Sequence, residues 1–315
     1  MASIFVTGGS GFIGARIIDR LAARGDAVTS FDLAVSPRLR AIMDRHPSVR
    51  AINGEIMEWP HLVDALKRSG AEKIVHTAAV VGVVNSLAAP TTTMRVNVEG
   101  ALNLMAAMRL LGIKRMVNIS TEEIYGHFTS DVIDESHPPR PEAPYGISKY
   151  AVEQLARDHD RAHGTEIIHA RTCWVYGPNF PRQRAPMTLI DAALAGRTLH
   201  IARGGDFIVD HVHVDDTVAG AILCLDHPKH RFDAYHVATG VVTSMAEIVQ
   251  IIREQVPGAD IAIGPGQYDF GPGVPVVRKG ALAIDRARAE LGYSPRYDIR
   301  SGIAAYIAAA RAGAN

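Results

Sequence analysis

Four residues of strand character, Ser3–Val6, run directly into Thr7-Gly8-Gly9-Ser10-Gly11-Phe12-Ile13-Gly14, and helical periodicity follows over Ile13–Arg24. A strand, a glycine loop and a helix in that order constrain the fold more than any other feature of the chain. Gly8 permits the tight turn, Gly11 the close approach of a pyrophosphate, and Gly14 the close packing of helix on sheet. Phosphate is drawn to the backbone N–H groups at the positive end of such a helix. Eighteen residues past Gly14, Asp32 closes the second strand, where a carboxylate accepts both ribose hydroxyls of an adenosine and repels a 2′-phosphate. The loop and Asp32 together predict an NAD site, with Gly8, Gly11, Phe12, Ile13, Gly14 and Asp32 as its residues.

Beyond the loop, strand candidates at Ala27–Phe31, Val49–Asn53, Lys73–His76, Arg115–Ser120 and Glu166–Arg171 alternate with helical stretches. Those helices are expected near Pro60–Ser69, Thr92–Leu111 and Tyr145–His163, each apolar on one face. Alternation of this kind predicts an α/β fold, a doubly wound parallel sheet with helices on both faces. After Cys173 the pattern fades, and Pro178, Pro181, Pro186 and the Gly- and Pro-rich stretch Gly264–Pro275 suggest irregular, substrate-facing segments. The expected division is a dinucleotide-binding domain over 1–172, to which 207–235 returns, and a smaller C-terminal substrate-binding lobe over 173–315.

Lys plus Arg and Asp plus Glu both total 33, so no global field draws the chain onto nucleic acid or an anionic membrane. A small-molecule substrate is the expectation, with neither nucleic acid nor membrane as partner. Cys173 and Cys224 lie among apolar neighbours without metal-ligand spacing and read as reduced core thiols. The first apolar run is too short for a signal-peptide core and no run approaches the ~20 residues of a membrane span, so a cytoplasmic location is expected by default.

Tyr145-Gly146-Ile147-Ser148-Lys149 opens a helix after the breaker-rich Pro138–Pro144, and the i, i+4 spacing puts Tyr145 and Lys149 on one face. An ammonium near a phenol favours phenolate and lowers its pKa from the reference ~10, which would make Tyr145 a general base. Thr121, at the end of the strand Met116–Ser120, would hydrogen-bond the same substrate oxygen during hydride transfer.

With these residues in place, the chain resembles the extended short-chain dehydrogenase/reductases, also called the NAD-dependent epimerase/dehydratase family, which share a Rossmann sheet. The resemblance spans nearly the whole chain. It rests on the loop at 7–14, His76-Thr77-Ala78-Ala79, Asn97-Val98-Glu99-Gly100, Ser120-Thr121 before Ile124-Tyr125-Gly126, Tyr145 with Lys149, Val175-Tyr176-Gly177-Pro178, and His213-Val214-Asp215-Asp216. It implies that Ala78 and Ala79 line the cofactor, that Asn97 supports the sheet near the site, and that Lys149 also contacts the nicotinamide ribose. Glu55-Ile56 stands where the family usually has Asp-Ile near the adenine. A homodimer is implied as well, with the helices at Thr92–Leu111 and Tyr145–His163 pairing as a four-helix bundle.

Thr121-Glu122-Glu123 resembles the Thr-Asp-Glu of nucleotide-sugar 4,6-dehydratases, where one acid protonates a leaving hydroxyl and the other removes the proton beside the new ketone. Glu122 and Glu123 are therefore further catalytic candidates, against the plainer reading of two acids on a loop. Two departures bear on the substrate: Trp174 lies in a segment where nucleotide-sugar enzymes usually carry Asn, and Val209-Asp210-His211 replaces Arg-Asp-Phe, whose arginine grips the diphosphate. Their loss favours a small sugar, polyol or hydroxy acid, with Trp174, Arg182, Arg184, Arg203 and Arg278 as substrate-contact candidates. The alternatives are a nucleotide-sugar 4-epimerase or 4,6-dehydratase and, in another class, a non-catalytic NAD-sensing or scaffold protein. His211 and His213 share a strand face near Asp215 and Asp216, but no metal site is expected, since Asp215-Asp216 is placed to cap a helix beginning at Thr217.

Overall fold

A computed structural model describes residues 2–271, 273–274 and 276–313. Pro272 and Pro275 of the expected irregular stretch thus lie outside the described residues. The first strands are β1 Ser3–Thr7, β2 Ala27–Asp32, β3 Val49–Asn53, β4 Lys73–His76, β5 Arg115–Thr121, β6 Val132–Ile133 and β7 Glu166–Thr172. Then come β8 Trp174–Tyr176, β9 Leu199–Ile201, β10 Ile208–His213, β11 Ala234–Val237, β12 Val242–Ser244, β13 Ile261–Ile263 and β14 Ala281–Leu282. Helices are α1 Phe12–Ala23, α2 Pro37–Arg45, α3 Trp59–Ser69, α4 Val83–Ala88, α5 Pro90–Met94, α6 Gly100–Leu111 and α7 Pro144–His163. The later ones are α8 Met187–Leu194, α9 Val214–Asp226, α10 Met245–Gln255, α11 Asp285–Leu291 and α12 Ile299–Arg311.

The chain divides into two compact units. The first holds Met1–Gly126, Pro138–Arg171 and Val218–Tyr235; the second holds His127–His137, Thr172–Thr217 and His236–Asn315. This differs from the expected boundaries, because 127–137 and 207–217 belong to the second unit. Strand pairing is the reason: β6 pairs in parallel with β14, and β10 pairs with β8 and β12.

In the first unit a seven-stranded parallel sheet runs in the order β11-β7-β5-β4-β1-β2-β3, the doubly wound arrangement. Ile4, Phe5 and Val6 are all fully buried, as an unbroken apolar run must be when both faces of a parallel sheet are covered. One face packs against α3, α6 and α7 through residues such as Leu62, Leu66, Leu104, Met108 and Val152. On α1, Ile17, Ile18 and Leu21 are wholly buried, each contributing about 1.5–3 kcal/mol. Helix α2 has only Leu39 and Ile42 buried, so its apolar periodicity is faint; Ser36 caps it by accepting from Leu39 N at 3.2 Å, and Pro37 starts it. The single helix expected over Thr92–Leu111 is instead α5, a wide π turn at Arg95–Glu99, and α6.

The second unit has its own core, in which Leu189 and Ile190 of α8 meet Phe207, Val209, Met245, Ile248, Ile252 and Ile303. Its polar centre is Asp210, fully buried on β10. The carboxylate accepts from Thr239 N at 3.0 Å, Thr239 Oγ1 at 2.6 Å, Gly240 N at 2.9 Å and Leu282 N at 3.3 Å. Burial pushes this carboxyl up, and the four donors oppose that. Asp210→Ala leaves these donors facing a void and should lower denaturant-measured stability by on the order of 3 kcal/mol. A loss below about 1 kcal/mol would contradict the role given to this carboxylate.

Candidate active site

All the features that the sequence assigns to a cofactor lie in the first unit. Gly8 has φ +70°, and a Cβ on it would stand 2.6 Å from Ala78 N. A Cβ on Gly14 would stand 2.2 Å from the carbonyl oxygen of Gly8, so α1 can lie against the loop only if residue 14 is glycine. Gly11 is exposed, and its nearest neighbour would be the Gly8 oxygen at 3.0 Å, which leaves its outer side open to a ligand. Asp32 accepts from Ser10 N at 2.9 Å and from Leu33 N at 2.8 Å, which ties the glycine loop to the end of β2. Ile56 is buried against Gly100, where a Cβ would stand 2.6 Å from it, while Glu55 beside it is half-buried.

The end of β4 closes the other side of the loop. Thr77 Oγ1 donates to Thr7 O at 2.7 Å, and Ala78 N donates weakly to Thr7 Oγ1 at 3.4 Å. His76 is buried with its Nδ1 2.8 Å from Thr7 Oγ1; burial, aided by the Lys149 charge, pushes the imidazole down to about 3, so it is neutral. Asn97, set in the π turn, accepts from Val80 N at 2.7 Å and donates to Val80 O at 3.1 Å and Ser148 Oγ at 2.9 Å. Its amide braces the segment after β4 against α7.

Thr121, Tyr145 and Lys149 come together at the end of β5 and the start of α7. Pro144 occupies the first helical position and sets Tyr145 in the first turn. The Thr121–Glu123 turn lies against that first turn because residue 146 is glycine: a Cβ there would stand 2.4 Å from Glu123 O. Tyr145, Lys149 and Thr121 are 8%, 4% and 6% exposed, so the polar groups face a desolvated corner. Lys149 Nζ donates to Ile119 O at 2.6 Å. Burial pushes its ammonium down to about 8, with the Glu153 carboxylate acting in the opposite direction. Glu122 is 1% exposed and Glu123 half-buried on a 3-10 turn capped by Thr121 Oγ1, which accepts from Glu123 N at 3.3 Å.

Sequence reasoning missed the groups behind this corner. Glu153, fully buried one turn beyond Lys149, accepts from Ser120 Oγ at 2.6 Å, Arg171 Nε at 3.1 Å and Arg171 Nη2 at 2.7 Å. Arg171 Nη1 also donates to the hydroxyl of Tyr125 at 2.7 Å. The signal was available as an i, i+4, i+8 series of Tyr145, Lys149 and Glu153 on one helix face.

The substrate candidates belong to the second unit. Half-buried Trp174 packs among Phe207, Phe270 and His211 at centroid distances of 5.2, 5.9 and 5.8 Å. The Arg184 guanidinium stacks on Trp174 and Phe180 at 4.6 and 4.8 Å and donates to Val175 O at 2.9 Å, while Arg182 lies over Phe180 at 5.2 Å. Arg203 is exposed beside Gly266. Arg278 pairs with Asp131 and, with Lys279, lines a cleft of about 400 Å3. Val209 is fully buried in the core. The expected helix cap is not made by Asp216: α9 already starts at Val214, and both Asp216 oxygens accept from Arg296 N and Tyr297 N, at 2.8 and 3.0 Å. Cys173 and Cys224 are buried thiols that form no disulfide.

Residues 4–238 match the model of the NAD dependent epimerase/dehydratase family. The chain is 32% identical to a UDP-glucose 4-epimerase of Mycolicibacterium smegmatis, over 95% of each chain. It is 30% identical to a dTDP-glucose 4,6-dehydratase of Streptomyces antibioticus, over 96% of this chain and 90% of that one. Among solved structures, the UDP-glucose 4-epimerase of Thermotoga maritima with UDP-glucose superposes with a TM-score of 0.87 at 26% identity, covering 99% of both chains. MoeE5 in complex with UDP-glucose and NAD gives 0.83 at 29% identity, over 99% of this chain and 100% of that one. These relatives are enzymes, which leaves the scaffold alternative without support. The chain therefore belongs to the NAD-dependent epimerase/dehydratase family of extended short-chain dehydrogenase/reductases, and is an enzyme whose cofactor is NAD.

Proposed function

We propose that this enzyme oxidises a ring carbinol of a nucleoside-diphosphate hexose and then re-reduces the product with the same cofactor, as a 4-epimerase or 4,6-dehydratase would. The observation that carries this reading is the full set of Thr121, Tyr145 and Lys149 in a chain whose relatives, matched over nearly their whole length, act on UDP- and dTDP-sugars. Bound NAD supplies the hydride acceptor. Gly8, Gly11, Phe12, Ile13 and Gly14 would hold its pyrophosphate, Asp32 its adenosine ribose, and Glu55, Ile56, Ala78 and Ala79 its flanks. Asn97 would support the cofactor site by bracing Val80 and Ser148.

In this reading Tyr145 takes the carbinol proton, Thr121 hydrogen-bonds the same oxygen, and Lys149 favours the phenolate by its charge. Glu123, the more accessible of the two acids, is the better candidate for the extra proton transfer that a dehydratase needs. Arg278 and Lys279 are the proposed partners of the diphosphate, in place of the arginine lost at Val209. The protein is further proposed to act in the cytoplasm as a homodimer, since Leu102 and Leu110 on α6 and Ile147 on α7 are exposed apolar residues.

A second reading, net dehydrogenation of a small sugar, polyol or hydroxy acid, is favoured by one observation. Trp174 lies in a segment where nucleotide-sugar enzymes usually carry Asn, and it packs among the rings of Phe207 and Phe270. Incubation with UDP-, GDP- and dTDP-sugars, free sugars and sugar acids, followed by NADH absorbance and product NMR, separates the two. The main reading predicts a changed nucleotide sugar without net NADH, together with thermal protection by UDP or dTDP. Net NADH from a free sugar or sugar acid, without protection by nucleotide, would replace it with the second. On the cofactor side, NAD should bind more tightly than NADP, and Asp32→Ala should narrow that gap in calorimetry. Equal wild-type affinities would overturn the role given to Asp32.

A further inference from the structure

The buried face of α7 continues past the residues used above. Tyr145, Lys149 and Glu153 are spaced i, i+4, i+8, and each successive residue is more deeply buried. The strand they face, β5, is engaged at two consecutive residues just before Thr121. Ile119 accepts the Lys149 ammonium through its carbonyl, Ser120 donates its hydroxyl to Glu153, and Thr121 follows. Glu153 is in turn held by the Nε–Nη2 edge of Arg171 on β7, and more loosely by Arg157 at 3.4 Å.

The other titratable groups packed around this corner are His76 on β4, Glu122 and Glu123 after β5, and Tyr125. His169 and Arg171 lie on β7, and Arg157 is paired with Asp233. Burial pushes His76 down to about 3 and His169 to about 4, so both imidazoles are neutral at working pH. Burial opposes the Glu153 charge, but Arg171 and the Ser120 hydroxyl, joined by His169 once that ring is protonated at low pH, outweigh it and hold the carboxyl down at about 2. The anion that offsets the desolvation of Lys149 is Glu153. A brace alone would not require that charge, because a neutral amide could also accept from Ser120.

We propose that Glu153 is a positioning residue whose buried carboxylate, fixed by Arg171 and Ser120, keeps Lys149 an ammonium and anchors the strand end that presents Thr121. This rests on Lys149 being the partner of Tyr145. Its test needs no substrate, so it stands or falls separately from the test of Tyr145. The sequence has six lysines, few enough to resolve each in protein labelled with 13C at lysine Cε. Loss of one signal in Lys149→Arg assigns it, and the Cε shift is then followed against pH with and without NAD.

In Glu153→Gln, which keeps the shape and leaves Arg171 unbalanced, the Lys149 midpoint should fall by about one pH unit or more. In Glu153→Asp it should stay within a few tenths of a unit of wild type. The double variant Glu153→Gln/Arg171→Met removes the Arg171 charge together with the carboxylate that balanced it and offers a folded reading if the single variant does not fold. Its midpoint should also fall, but by less, since the nearer charge and the farther one are removed together. A Lys149 midpoint unchanged in the glutamine variant, or in the double variant if only that one folds, would show a mere brace and overturn the proposal.

Discussion

The ammonium of Lys149, buried and donating to the Ile119 carbonyl at 2.6 Å, joins the helix that carries Tyr145 to the strand that ends in Thr121. A short chain of buried partners, Glu153, Arg171 and Ser120, surrounds this charge. A lone ammonium in such a place would shed its proton, since burial disfavours the charged form. Glu153 counters that, and Glu153 itself is tolerable only because Arg171 and Ser120 satisfy it. Gly146 and Asn97 complete the arrangement from outside, the first by letting the Thr121–Glu123 turn approach α7, the second by bracing α7 through Ser148.

The parts legible in the sequence were those governed by local rules. Buried parallel strands read as apolar runs, and the glycine loop announced itself because Gly8 and Gly14 meet steric limits no other residue can satisfy. Tyr145 and Lys149 were legible as candidates from their i, i+4 spacing taken together with the family resemblance. Glu153 and Arg171 were not, because their pairing joins a helix to a strand 18 positions away in sequence and a charged residue on a helix usually faces solvent. The same limit explains the unit boundaries. The segment around Val132–Ile133 looks like part of the first unit until its pairing with Ala281–Leu282 is seen.

In the second unit, two of the positions that bear on the substrate are fixed by packing. Val209 is a core residue packed near Phe207 and Met245, and Arg184, one of the expected anion partners, has its guanidinium stacked between Trp174 and Phe180. Stacking of this kind fixes the plane of the guanidinium and limits which edge can meet a ligand. Arg278 and Lys279, by contrast, line an open cleft. The candidate substrate residues thus lie mostly on loops, whereas Thr121, Tyr145 and Lys149 lie on a strand end and a helix packed on the sheet.

We infer that Tyr145 exchanges the substrate proton in a corner prepared by Lys149. Tyr145→Phe removes one oxygen and leaves the rest of that corner in place. NAD affinity measured by calorimetry should stay at the wild-type level, while turnover of whichever substrate the panel identifies should fall by ~10²-fold or more. Turnover near the wild-type value in a correctly folded variant would contradict the account.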